Sequence, residues 1–149
     1  MGDRIGTAVV GYGYWGVNLA RNVAAASSLE LVGVADPDED RRKAARGNHP
    51  GVASWSSLEE ALDAPEVDAV VLAVPAHAHA ALATRVLESG RHVMVEKPLA
   101  MEVGEGRDLV ALAEERDLIA MVGHTFLYAE PVRRLKSYIE AGDLGRVQY

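Results

Sequence analysis

The 149-residue sequence contains no cysteine, which removes disulfides, thiolate catalysis and cysteine-based zinc sites together. It has no long hydrophobic run. The longest apolar stretches, such as Ala69-Val70-Val71-Leu72-Ala73-Val74, fall far short of the roughly 20 residues a bilayer-spanning helix needs. It has no excess of basic charge either: the formal net charge is -7. The one dense basic run, Arg41-Arg42-Lys43, follows Asp36, Asp38, Glu39 and Asp40. Polyanion binding needs clustered Lys and Arg, so nucleic acid is not an expected partner and the run reads as a solvated helix face. The opening residues show no signal-peptide cleavage pattern, and Gly6 stands where a myristoylation pattern needs Ser or Thr. The expectation is a cytoplasmic protein with no membrane partner.

What is present is the composition of an ordinary soluble domain, 49% hydrophobic and 25% charged, with length enough for one core. Short apolar runs alternate with segments of helical period. Strands are expected at residues 5–10, 29–35, 68–74, 92–95 and 118–122. Helices are expected at residues 15–26, from an Asp38 cap to about Asn48, at 58–62, at 78–88 with Gly90 as the stop, and at 102–116. Continuous apolar strands separated by helices indicate a parallel sheet covered on both faces. The fold class is therefore doubly wound α/β, a Rossmann fold. Beyond Gly123 the alternation ends: one amphipathic helix, residues 130–140, precedes a turn and what reads as the start of a strand at 146–149.

Gly11-Tyr12-Gly13-Tyr14-Trp15-Gly16 is a G-x-G-x-x-G sequence that directly follows an expected strand and opens an expected helix, the context in which it binds a dinucleotide. The first glycine allows the tight turn, the second the close approach of a pyrophosphate, the third close packing of helix on strand. The helix N-terminus supplies free N–H groups. Tyr12, Tyr14 and Trp15 are candidates to shield the cofactor, with packing favoured for Trp15. Asp36 ends the second strand, where a carboxylate accepts hydrogen bonds from ribose hydroxyls and disfavours a 2′-phosphate. NAD is thus favoured over NADP, which the Arg41-Arg42 pair keeps open.

Ligands of open parallel sheets bind beyond the carboxyl ends of the strands. Three such ends carry notable residues: Val74-Pro75, Glu96-Lys97-Pro98 and Gly123-His124. A lysine at a strand end beside nicotinamide polarises a substrate oxygen, and a desolvated one also serves proton transfer. An exposed turn lysine ahead of Pro98 is the equal alternative. His77 and His79, two residues apart, share no helix face, and no residue set has metal-ligand spacing. His124 is the histidine best placed for function.

These features, the glycine turn, Asp36, Val74-Pro75 with His79, and Glu96-Lys97-Pro98-Leu99 above all, resemble the glucose–fructose oxidoreductase/inositol dehydrogenase (Gfo/Idh/MocA) family over essentially the whole chain. The tail Gly142-Asp143-Leu144-Gly145-Arg146-Val147 resembles that family's link into a second domain. The resemblance implies an NAD-dependent dehydrogenase of a sugar or polyol derivative, a homo-oligomer when intact. It places Lys97 beside nicotinamide and substrate, Glu96 near the nicotinamide ribose, and His79 near the cofactor cleft. Residues 1–124 would be the dinucleotide-binding domain, and 125–149 a linking helix with the start of a second domain. The family's open-faced β-sheet domain is lacking in these 149 residues, so apolar surface from Phe126 onward is expected to be exposed. Ala76 replaces a frequent asparagine. The segment His124-Thr125-Phe126-Leu127-Tyr128 looks similar to members acting on UDP-linked amino-sugar uronates. Two other readings are a non-catalytic dinucleotide-binding module or redox sensor, and, more weakly, a methyltransferase using S-adenosylmethionine.

Overall fold

The computed structural model describes residues 4–148. Its strands are β1 (Ile5–Val10), β2 (Leu29–Ala35), β3 (Ala53–Trp55), β4 (Ala69–Leu72), β5 (His92–Val95) and β6 (Ala120–Val122). They form one sheet in the order β3-β2-β1-β4-β5-β6, and every neighbouring pair is parallel. The helices are α1 (Tyr14–Ala25), α2 (Glu39–Asn48), α3 (Leu58–Leu62), α4 (His79–Glu88), α5 (Val103–Glu115) and α6 (Glu130–Ala141). This is the doubly wound Rossmann arrangement, and the strand order reverses between β1 and β4.

The strands read as continuous apolar runs because both faces are covered. In β1, Ala8 and Val10 join the core under α3, α4 and α5, with Leu58, Val86, Leu87 and Leu109. Val9, between them, points the other way into the core of α1 and α2, with Ala20, Val23 and Ala45. A period of two along a strand thus feeds two separate cores. The helix starts follow local chemistry. Asp38 caps α2, accepting from the N–H groups of Asp40 and Arg41, and Ser57 caps α3. Past the end of α4, Gly90 takes φ +79°, the left-handed region where glycine costs least.

The N-terminal edge of the sheet is tied by side chains. The Gly6 N–H donates to Asp68 Oδ2 at 2.8 Å. Arg91 donates from Nε to the Val67 carbonyl at 2.9 Å and from Nη1 to that of Ser89 at 3.0 Å.

Three expectations need correction. Strand β3 was not foreseen: Ala-Ser-Trp is too short to show a period, and it is a strand only because it pairs with Gly33–Ala35 of β2. His77 lies in a single 3-10 turn, Ala76–Ala78, and α4 begins at His79, so the two histidines do not occupy one helix. Residues 146–148 form no strand, since no strand of the sheet pairs with them; Tyr149 lies outside the described residues. A 3-10 turn, Thr125–Tyr128, leads into α6. Phe126, Leu127, Tyr128, Leu135 and Ile139 are exposed there. Among the described residues no helix is long and apolar enough to cross a membrane.

Candidate functional site

The turn from β1 to α1 is built around two close approaches. Gly11 has φ +89°, and a Cβ on it would stand 2.4 Å from the Ala73 carbonyl oxygen. A Cβ on Gly16 would stand 1.9 Å from the Gly11 carbonyl oxygen, so α1 lies against the turn as only glycine permits. Gly13 differs. A Cβ there would meet only Arg41 Nη1, at 3.8 Å, so its missing side chain leaves room for something outside the protein. Gly13 is also the N-cap of α1, whose first internal bond runs from the Val17 N–H to the Gly13 carbonyl. The N–H groups of the preceding first-turn residues therefore have no helical acceptor.

Above this turn lies a cleft of about 680 Å³ at the carboxyl ends of β1, β2 and β4. Gly11, Gly13, Tyr14 and Trp15 form its floor, Asp36, Pro37 and Arg41 one wall, and Val74 and Pro75 another. Ser57, Leu58, Leu82 and Arg85 close its far end, where Arg85 is ion-paired with Glu59. A smaller cavity of about 120 Å³ continues toward β5, lined by Ala76, His79, Glu96 and Lys97. The two share Trp15, Ala73 and Val74, so Lys97 stands beside one end of the long cleft.

Asp36 is the fixed anion of the site. Its side chain is 2% exposed. Oδ2 accepts from the Tyr12 N–H at 2.7 Å, and Oδ1 from the Asp38 N–H at 2.9 Å. One carboxylate thus ties the glycine turn to the start of α2, a job spacing alone did not reveal. His79 is 1% exposed. Its Nδ1 lies 2.6 Å from the Pro98 carbonyl oxygen and its Nε2 2.9 Å from that of Val74. It links the end of β4 to the Glu96-Lys97-Pro98 turn, where the Lys97–Pro98 bond is cis.

Several side chains sit otherwise than expected. The Tyr12 ring is buried in the core, where its hydroxyl accepts from Asn48 Nδ2 at 3.1 Å. Only its backbone serves the turn, because a strand-end residue facing the core has no path to the cleft. Trp15, for which packing was favoured, is 54% exposed and lines both cavities. Lys97 is exposed, as in the equal alternative the sequence left open, since none of the described elements covers the end of β5. His124, at the end of β6, is exposed and lines neither cavity. Sequence reasoning did not single out Ser57, Leu58, Leu82 or Arg85 as cleft residues: they come from α3 and α4, which only the crossovers bring to the cleft. Among the described residues, no three His, Asp or Glu side chains converge as a metal site.

The sequence model of the Gfo/Idh/MocA oxidoreductase family, NAD-binding Rossmann fold, matches residues 5–124. This chain belongs to that family. An inositol 2-dehydrogenase of Streptomyces avermitilis is 33% identical over 148 residues, 98% of this chain and 43% of its own length. GenD2 from gentamicin A biosynthesis, solved with NAD, is 35% identical with a TM-score of 0.83, covering 97% of this chain and 39% of that one. The Bordetella pertussis WlbA dehydrogenase, solved with NADH and UDP-GlcNAcA, is 30% identical with a TM-score of 0.89, covering 97% and 42%. The chain spans about two fifths of the length of these Gfo/Idh/MocA relatives. Its cofactor is NAD, in keeping with the family's NAD-binding domain and with neighbours solved holding NAD or NADH.

Proposed function

We propose that this domain holds NAD for an oxidoreductase that moves hydride between nicotinamide and a secondary alcohol carbon of a sugar or polyol derivative. The observation that carries the reading is the continuity of the two cavities: the glycine turn and Asp36 bound the long one, and Lys97 lines the short one that opens from it. The fit is favourable, since the space over Gly13 is open and the first-turn N–H groups of α1 face it. Backbone N–H groups at a helix start hold a pyrophosphate. Asp36 and the adjoining wall flank the adenosine ribose, and Leu58 and Leu82 offer apolar cover at the far end. When bound, the nicotinamide supplies the hydride acceptor or donor.

Lys97 then acts on the substrate oxygen. In the reducing direction its ammonium donates a hydrogen bond, then a proton, to the oxygen of the carbon that receives hydride. In the oxidising direction the amine takes the hydroxyl proton as hydride leaves the carbon. Glu96 flanks the nicotinamide ribose, and His79 fixes the turn that carries Lys97. Residues 125–149 form the link to a further domain that completes the substrate site and the oligomer surface. Inositol and levoglucosan dehydrogenases among the relatives support the substrate class, and the cytoplasm, where NAD is abundant, is the expected compartment.

The test has two stages. The chain is titrated calorimetrically with NAD, and NAD is expected to bind. The longer protein that contains it is then assayed on a panel of polyols and sugars by the absorbance of reduced nicotinamide, as wild type and Lys97→Ala. Turnover lost in the variant with NAD binding retained is the expected result. Equal turnover in both would remove Lys97 from the chemistry.

A further inference from the structure

We propose that the outward face of α5 is a self-association surface, on which a second copy of this chain docks antiparallel about a two-fold axis between Val110 and Ala111. The proposal stands apart from the cofactor reading and from the exposed face of α6. Helix α5 turns Leu109 and Ala113 into the core, where both are buried. Its opposite side carries Val103, Arg107, Val110 and Glu114, a spacing that a helix gathers into one stripe. Val103 and Val110 are 72% and 47% exposed there. With Gly106 and Ala111, these four line a surface groove of about 470 Å³, and the two small residues let another backbone come close.

The charges of this stripe have no use within the helix. A solvated helix face gains from opposite charges three or four residues apart. Around Arg107 those positions hold Val103, Gly104, Val110 and Ala111, and around Glu114 they hold Val110, Ala111, Asp117 and Leu118. Among the described residues, neither Arg107 nor Glu114 has an ion-pair partner. The two stand roughly 10 Å apart along the axis, beyond the spacing at which helix neighbours pair, with Val110 between them. That pattern is self-complementary. An antiparallel copy centred between Val110 and Ala111 sets each Arg107 opposite the partner's Glu114 and brings the two Val110 side chains together beside the axis. A parallel copy in register would set like charge against like, so the charges choose the orientation. Exposed ion pairs add little affinity, and one helix face is smaller than a standard interface of about 1,600 Å². The expected dimer is therefore weak, with a Kd of about 0.1 mM.

The test is sedimentation equilibrium of the 149-residue chain at concentrations up to about tenfold above that Kd. Arg107→Glu and Glu114→Arg are each expected to weaken the dimer by about tenfold, because two attractive contacts become two repulsive ones. The double variant should regain wild-type association, and so should an equimolar mixture of the two single variants, paired as a heterodimer. The chain has no cysteine, so Val110→Cys sets two lone thiols beside the axis. It is expected to form an intermolecular disulfide under mild oxidation, while Val132→Cys, 40% exposed on α6, does so far more slowly. A wild-type chain that stays monomeric throughout overturns the proposal. So does a dimer whose Kd is unchanged in both single variants, or one that Leu135→Glu on the exposed face of α6 disperses while they do not. Association lost in the single variants and recovered in neither the double variant nor the mixture would overturn the antiparallel pairing. The circular dichroism spectrum of each variant confirms that lost association is not lost fold.

Discussion

The carbonyl oxygen of Pro98 lies 2.6 Å from Nδ1 of His79, deep under the turn that carries Lys97. The other ring nitrogen faces the Val74 carbonyl at 2.9 Å, so one buried imidazole spans two strand ends with an acceptor on each side. Both carbonyls belong to segments without further regular structure, and the ring is what fixes their spacing.

Replacing His79 by Ala is expected to lower stability by about 3 kcal/mol, combining a cavity with loss of the ring's hydrogen bonding to the two part-buried strand-end carbonyls. His79→Gln restores one donor and is expected to recover part of that loss. Urea denaturation of the three proteins decides it, and a loss below about 1 kcal/mol for the alanine variant would show that the turn holds itself.

The glycines of the turn separate folding from binding. Gly16→Ala sets a Cβ 1.9 Å from a backbone oxygen, so the helix must move, at about 2–4 kcal/mol. Gly13→Ala meets nothing closer than 3.8 Å and should cost at most about 1 kcal/mol as an N-cap change. Yet it should weaken NAD about tenfold or more, because the methyl stands where a pyrophosphate approaches. Thermal unfolding and calorimetry on both variants give the comparison. Unchanged affinity in Gly13→Ala would place the phosphates elsewhere.

Much of this was legible in the sequence, and the reason is local. Gly11, Gly13 and Gly16 lie within six consecutive residues, and Asp36 ends an apolar run that could only be a buried strand. The chain's neighbours sufficed to interpret them. Leu82 and Arg85 reach the cleft through crossovers, so nothing beside them in sequence marks their role. The inward turn of Tyr12 was hidden for a related reason. Its backbone and its ring serve opposite sides of the same strand end, and a motif records only that a residue is present.

Trp15 gives an optical handle on the junction of the two cavities. The chain has two tryptophans: Trp15 is 54% exposed at the cleft, while Trp55, at the end of the edge strand β3, is partly buried against the core. NADH binding is expected to quench the tryptophan emission, and Trp15→Phe to abolish most of that change with affinity altered by less than about tenfold, since one aromatic contact contributes on the order of 1 kcal/mol. Quenching that survives in Trp15→Phe would mean the nicotinamide half lies away from this ring.

The acidic start of α3 carries a pH signature. The hydroxyl and N–H of Ser56 both donate to the Glu60 carboxylate, and these bonds hold its pKa below the usual carboxylate range. A depressed value in the folded state means stabilisation that is full above the ordinary Glu range and is lost as pH falls through the folded value. An NMR titration should find Glu60 below the ordinary glutamate value, as it should Glu39, which Arg46 and Arg42 hold down. Ser56→Ala should bring Glu60 back up. If Glu60 does not move in that variant, the serine is not its cause.

The ties of Asp68 and Arg91 lie at the N-terminal edge of the sheet, while every residue proposed to touch a ligand lies at the other edge. Substitutions at the two edges are therefore screened by different selective pressures. Loops around the cleft are free to drift toward new sugars or a new adenosine half while the far edge keeps the chain folded. Damage at Arg91 or Asp68 would surface as lower abundance of a protein whose ligand preferences are intact. A mutational scan that scored abundance and binding separately would split this small domain across its strands, between their starts and their carboxyl ends.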